Sequence, residues 1–97
     1  MLNMMTINIP YQLIREGDII VAVCPILDVS AYGDSEKEAV ENFKHALHAF
    51  IDETTEHHTL EKVLEEHGWK KVQAERPRWD PPQVISSVRY EEISLPA

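Results

Sequence analysis

The stretch that decides the fold is residues 18–51, DIIVAVCPILDVSAYGDSEKEAVENFKHALHAFI. It opens with the apolar run Ile19–Cys24, in which β-branched residues occupy both alternating sets of positions. Such a run is typical of a strand that is covered on both faces, or on one face and along an edge. From Ser35 onward the pattern is that of a long amphipathic helix, which is the obvious cover for the strand. The rest of the chain therefore adds to one sheet and one helix.

Ser35 and Glu38 predict where this helix begins. In the pattern S-x-x-E, the serine hydroxyl accepts a hydrogen bond from the amide three residues on, and the glutamate reaches back to the cap amide. Apolar residues then fall at three- and four-residue steps and form one stripe: Ala39, Val40, Phe43, Leu47, Phe50 and Ile51.

The polar, threonine-rich segment 52–58 predicts a break in the helix. Thr59 then caps a second, shorter helix. Gly68 followed by Trp69 predicts that the second helix ends in a Schellman motif, in which glycine takes the left-handed conformation and the tryptophan packs back on Leu64.

Two further strands are predicted beside the apolar run. Residues 7–13 alternate apolar and polar side chains, and Pro10 favours an edge position because it cannot donate to a ladder. Residues 15–18 form a polar turn that joins this strand to the strand at 18–24 as a hairpin. Val29–Gly33 alternates again. The pattern predicts a three-stranded antiparallel meander.

The end of the chain changes character. Residues 69–72 predict a fourth, exposed strand, and the three prolines in 76–82 predict a stiff connector that is neither helix nor central strand. Residues 84–95 have a strand-like composition and can pair with their own sheet or with a neighbour's. We therefore divide the chain into an α+β domain at 1–75, of order β-β-β-α-α-β with a three- to four-stranded antiparallel sheet, and a connector with a C-terminal arm at 76–97.

Composition limits the classes of function. With 97 residues, 43% apolar and 27% charged, the chain has the size and make-up of one ordinary globular domain. A net charge of −8 argues against independent nucleic-acid binding and favours a basic protein partner, although it also serves solubility. The sequence shows no apolar run of about 20 residues and no signal-peptide pattern, so we expect a cytoplasmic protein without membrane contact. Cys24, the single cysteine, is expected to be a buried, inert thiol.

Four polar residues on the long helix deserve comparison with a metal site. Glu41, His45, His48 and Asp52 share one face. A histidine pair at i and i+3 with flanking carboxylates can hold a metal ion, but a solvated helix face carries the same residue types. The sequence places no third anchor beside them, so we predict no metal site.

Catalytic patterns are also lacking in the sequence. There is no nucleophile elbow, no neighbouring Cys/His pair and no glycine-rich phosphate loop, so neither an enzyme nor a cofactor is predicted. Asp18, Asp28 and Asp34 lie at predicted strand ends, where carboxylates can bind magnesium, although turn and cap roles explain them more simply.

Trp79 lies in an arginine-rich stretch with Arg76 and Arg78. Tryptophan and arginine dominate interface hot spots, so this segment is either a recognition anchor or a tail folded over its own core. The exposed sheet edges and the apolar arm favour a homo-oligomer over a monomer.

The residues 20–35 and 59–69 carry a family resemblance. The stretches CPILDVSAYGDS, leading into the first helix, and TLEKVLEEHGW, in the second, resemble the HicB-like antitoxin family over roughly the first three-quarters of the chain. The resemblance implies a truncated ribonuclease-H-like domain, with a long helix on one face of a three- or four-stranded sheet. It also implies a partner, since members typically pair with a small basic toxin that cleaves messenger RNA and neutralise it by covering its active site.

One departure from the family limits what is carried over. Many members have a C-terminal helix-turn-helix or ribbon-helix-helix that binds DNA, whereas the residues after Gln73 are proline-rich and then strand-like. We therefore expect no direct DNA binding. The catalytic carboxylates of true ribonuclease H are not reproduced as a set, so the fold does not imply that activity.

The function favoured by the sequence is a HicB-like binding protein that neutralises a small basic toxin. The residues nominated for contact are Glu36, Glu38, Glu41, Glu61, Glu65, Glu66, Arg78 and Trp79. Two alternatives stay open: a solitary oligomeric HicB-like protein, and a degenerate metal-dependent ribonuclease-H-like hydrolase that uses Asp18, Asp28 or Asp34.

Overall fold

Two three-stranded sheets and two helices make up the fold, which a computed structural model describes for residues 5–85 and 88–96. The elements in chain order are β1 Thr6–Ile7, β2 Gln12–Glu16, β3 Ile19–Cys24, β4 Val29–Gly33, α1 Glu36–Glu56, α2 Leu60–Glu66, β5 Lys70–Val72 and β6 Arg78–Asp80. The α+β class with a long helix on a sheet is confirmed, and a second small sheet is added to it.

The first sheet is the antiparallel meander β2-β3-β4. In its central strand, Ile20, Ala22 and Cys24 are buried towards α1. Ile19, Val21 and Val23 on the opposite face are half-buried. The uninterrupted apolar run therefore has a physical reason, because the central strand has the helix on one face and is partly shielded on the other. Cys24 is a buried free thiol, as expected.

Helix α1 begins where the capping pattern predicts. The Ser35 hydroxyl accepts a hydrogen bond from the backbone N–H of Glu38 at 3.1 Å. Ala39 and Phe43 are buried, and the other members of the stripe are half-buried. The Tyr11 ring, just before β2, stacks on Phe43 with ring centroids 4.7 Å apart. The helix thus covers the sheet from β4 to the start of β2.

The predicted break at 52–58 is wrong for most of that segment, because α1 continues to Glu56. The Thr54 hydroxyl donates to the carbonyl of Phe50 at 2.8 Å, so this threonine is bonded within the helix and does not break it. The turn is confined to His57 and His58, where His58 has a φ of 57°. Among the residues that the structure describes, no helix combines the length and the apolarity needed to cross a bilayer.

Helix α2 ends in the predicted Schellman motif. The Trp69 N–H donates to the Leu64 carbonyl at 2.9 Å, and the Gly68 N–H donates to the Glu65 carbonyl at 3.1 Å. Gly68 has a φ of 86°, and Leu64 and Trp69 are both buried in the core. At the other end, the Thr59 hydroxyl donates backward to the carbonyl of Thr54, which ties α2 to the end of α1.

The second sheet has the order β1-β6-β5 and corrects the interpretation of residues 76–82 as a connector that holds no central strand. β6 is the central strand, parallel to β1 and antiparallel to β5. Its residues Arg78–Asp80 contain no proline, since the prolines lie on either side, and the Pro77 carbonyl accepts from the N–H of Thr6 at 3.4 Å. A proline removes a ladder donor only at the position it occupies.

The predicted strand at 69–72 is confirmed as Lys70–Val72. The C-terminal arm differs from its sequence pattern. Within the described residues 83–85 and 88–96, the chain forms no strand with either sheet, and every side chain is exposed.

Replacing Ser35 by alanine is expected to lower the free energy of unfolding by about 1 kcal/mol, because the Glu38 N–H loses its acceptor. Urea denaturation followed by circular dichroism measures this loss. Ser35→Asp is the matched variant, since aspartate also caps and suits the positive end of the helix dipole, and it should retain wild-type stability. Equal losses for both variants would contradict a capping role.

Candidate functional site

An open groove lies where the outer edge of β4 meets the first two turns of α1. Its volume is about 500 Å³, and its lining residues are Val21, Ser30, Ala31, Tyr32, Glu38 and Asn42. We call it the β4–α1 groove. It joins an exposed aromatic ring, a carboxylate and an amide in one concave surface.

The groove exists because the chain passes from strand to helix through only Asp34 and Ser35. The short connection presses α1 against β4, where a Cβ on Gly33 would come within 2.5 Å of the backbone nitrogen of Ala39. The Asn42 side chain then reaches the sheet edge and donates from Nδ2 to the Tyr32 carbonyl at 2.8 Å. This bond satisfies an edge carbonyl and fixes the distance between helix and strand.

The Tyr32 side chain is 67% exposed, beside the acidic start of α1. Glu36 and Glu38 are exposed and have no cation within 4.0 Å among the described residues, while Glu41 pairs loosely with Lys44 at 3.7 Å. An exposed ring next to free carboxylates suits a guanidinium or ammonium group, which can stack on the ring and pair with the carboxylate.

The nominated acids of α2 form a separate patch. Glu61 lines a second groove with Thr54 and Thr55, near the far end of α1. Thr54 lies about 20 Å from Glu41 along the axis of α1, since a helix rises 1.5 Å per residue. The Glu61 carboxylate also accepts a hydrogen bond from Lys71 Nζ at 3.0 Å in an ion pair, and Glu65 and Glu66 follow it as exposed residues. The six nominated glutamates therefore make two surfaces rather than one.

Arg78 and Trp79 have different positions. The Arg78 side chain is exposed and its Nε lies 2.9 Å from the Asp80 carboxylate. Trp79 is 5% exposed and belongs to the core cluster. Of the two interpretations of this segment, the tail folded over its own core describes Trp79, so the nomination of this side chain as a contact residue is corrected.

The three aspartates of the hydrolase alternative do not meet. Asp18 and Asp34 lie at the end of the first sheet where Ile20 pairs with Gly33. Asp28 lies at the opposite end, about 17 Å away along a six-residue strand. In residues 5–85 and 88–96, no group of three or more His, Cys, Asp or Glu side chains has the arrangement of a metal site.

Sequence reasoning nominated Glu38 by charge but missed Ser30, Tyr32 and Asn42. The alternation in Val29–Gly33 did contain a signal, because it places Tyr32 opposite the core-facing residues and so leaves a large ring exposed. The amide–carbonyl bond of Asn42 has no such signal.

Comparison with known proteins adds no further constraint: no protein-family model, curated protein or solved structure matches the chain.

Proposed function

We propose that the protein is a HicB-like, antitoxin-type binding protein that neutralises a small basic mRNA-cleaving toxin by contact at the β4–α1 groove. The observation that supports this proposal is the exposed Tyr32 ring beside Glu38, in a chain of net charge −8. A ribonuclease must present cations to bind RNA phosphates. An acidic groove with an aromatic wall is complementary to such a surface. When the toxin's cationic side chains bind in the groove, they are no longer available to bind RNA phosphates.

The decisive experiment is co-expression with the genes that neighbour its own, followed by purification of any small basic partner. The partner should arrest growth when expressed alone and should cleave messenger RNA in vitro. An equimolar amount of this protein should stop the cleavage. Undiminished cleavage in the presence of excess protein would overturn the proposal.

Charge reversal at the start of α1, where Glu38 lines the groove, tests where the partner binds. The triple variant Glu36→Lys, Glu38→Lys, Glu41→Lys is expected to slow association with the partner about 10- to 100-fold at low salt, because it removes the attractive potential. The control Glu53→Lys, Glu56→Lys, Glu75→Lys changes net charge equally at exposed positions elsewhere. Stopped-flow kinetics measures both. Equal slowing by both variants would show that only total charge matters.

A solitary homo-oligomer is the second candidate, and the exposed apolar side chains of the C-terminal arm favour it. Recovery of this protein with no partner other than itself would support this candidate over the antitoxin.

A further inference from the structure

The C-terminal arm holds most of the exposed large hydrophobic side chains among the residues that the structure describes. Six large apolar side chains are 63–93% exposed: Val84, Ile85, Val88, Tyr90, Ile93 and Leu95. The molecule measures 61 × 28 × 24 Å, so it is drawn out along one axis. A contiguous apolar segment of this kind marks a surface that is covered in the working protein.

Among the residues that the structure describes, no strand pairs with the outer edge of β2. β2 is an edge strand whose five residues are all exposed, and Tyr11, Leu13 and Ile14 are 40–43% exposed there. An open groove of about 530 Å³ runs along it, lined by Gln12, Leu13, Ile14, Val88 and Tyr90. An edge strand of this composition is a template for an added strand.

We propose that the arm of a second copy of this chain adds to the outer edge of β2, so that two copies exchange arms reciprocally. The chain's own arm already passes this edge: Val84 lines one groove with Tyr11 and Gln12, and Val88 and Tyr90 line the next groove with Leu13 and Ile14. It therefore runs in the same direction as β2, and within the described residues it forms no ladder with β2. A second copy can approach from the opposite direction, which gives the more stable antiparallel pairing.

Charge and apolar pattern select one antiparallel register. When Glu91 stands opposite Arg15, Ile93 stands opposite Leu13 and Leu95 opposite Tyr11. Leu13 and Arg15 pair with Ala22 and Ile20, so this side of the added strand extends the core face of the sheet. The register thus joins one ion pair to two apolar pairs on a single face.

The proposal does not depend on a toxin, because the β2 edge and the β4–α1 groove lie on opposite edges of the first sheet. The arms can fail to exchange even if the protein neutralises a toxin, and the arms can exchange even if it neutralises none. Oligomer measurements therefore test the arm, and RNA cleavage tests the groove.

Cross-linking of a mixed sample distinguishes the arm's own chain from a second copy. A tagged Leu13→Cys protein and an untagged Ile93→Cys protein are mixed and treated with a short bis-maleimide. Cys24 is 0% exposed and stays unreactive. The expected product joins one tagged and one untagged chain. Absence of this product, with an intrachain link in the Leu13→Cys, Ile93→Cys double variant, would overturn the proposal in favour of the chain's own arm.

Light scattering of the full chain supplies the second test. Wild-type protein is expected to have the mass of two chains, and Ile93→Asp, Leu95→Asp the mass of one. Ser94→Asp is the control, because residue 94 faces away from the apolar pairs in this register, and it should remain a dimer. Arg15→Glu and Glu91→Arg should each raise the dimer Kd about tenfold, and the combined variant should restore it. A one-chain mass for the wild type at all concentrations would refute arm exchange.

Discussion

Replacement of Trp79 by alanine is expected to lower the free energy of unfolding by about 3–5 kcal/mol, which is a large part of the total for a domain of this size. Trp79 is 5% exposed and lies in the same core cluster as Phe43, Leu64 and Trp69. It also occupies the middle of β6, where it pairs with Ile7 on one side and Lys71 on the other. The small variant side chain leaves a cavity that neighbouring strands cannot close without losing their register.

Arg78→Ala is the matched control for Trp79→Ala. Arg78 is the neighbouring residue of the same strand, but its side chain is 45% exposed and forms a surface ion pair with Asp80. Such a pair contributes about 0–1 kcal/mol, so the control should stay close to wild type. Urea unfolding should be followed by far-ultraviolet circular dichroism, because the variant removes a fluorophore. If Trp79→Ala lowered the free energy of unfolding by less than about 1 kcal/mol, β6 would be only loosely packed on the core.

The parts of the fold that could be predicted are those with a local signal. Strands β3 and β4 followed from their sequence patterns, whereas the single strand predicted at 7–13 is wrong, because the chain there is divided between β1 at Thr6–Ile7 and β2 at Gln12–Glu16. Three helix boundaries were predicted correctly from specific residues: Ser35 with Glu38 at the start of α1, Thr59 before α2, and Gly68 with Trp69 at the end of α2. In each case the residues that make the structure are within a few positions of one another. Side-chain chemistry and spacing are then sufficient.

The second sheet could not be predicted, for a reason of distance and length. Ile7 and Trp79 pair across most of the chain, and β1, β5 and β6 have only two or three residues each. β5 was predicted as the strand at 69–72, but β1 and β6 are below the length at which periodicity is visible, and no local signal indicates that the three strands pair. The prediction for the end of α1 was wrong for a different reason. The Thr54 hydroxyl donates to a carbonyl of the same helix, so it does not disrupt the helical hydrogen bonds.

The candidate site also has one part that the sequence could predict and one part that it could not. Charge alone identified the acidic start of α1, since three glutamates near one helix end are visible in any sequence. The groove itself depends on Asn42 reaching the Tyr32 carbonyl, a contact between two elements. Its existence requires the close approach of α1 to β4, which is set by one glycine.

That glycine is Gly33, which faces the backbone of the first turn of α1. Gly33→Ala is expected to lower the free energy of unfolding by about 2–3 kcal/mol through overpacking. An added Cβ would lie 2.5 Å from the backbone nitrogen of Ala39 and 2.8 Å from the carbonyl carbon of Glu38. Two backbone atoms of the first helical turn cannot move aside as a flexible side chain can, so α1 must shift away from β4.

Gly17→Ala separates this steric effect from the general cost of replacing glycine. Gly17 has a φ of 61° in the β2–β3 turn, and a Cβ there meets no described atom within 4 Å, so only the conformational cost of about 1–2 kcal/mol applies. Gly33→Ala should exceed that control and should also weaken binding of a basic partner, although it changes no charge, because the shift separates Asn42 from the Tyr32 carbonyl and deforms the groove. Wild-type stability in Gly33→Ala would show that the close contact does not hold in solution. Lost stability with unchanged partner affinity would keep the contact and place the binding surface away from the β4–α1 groove.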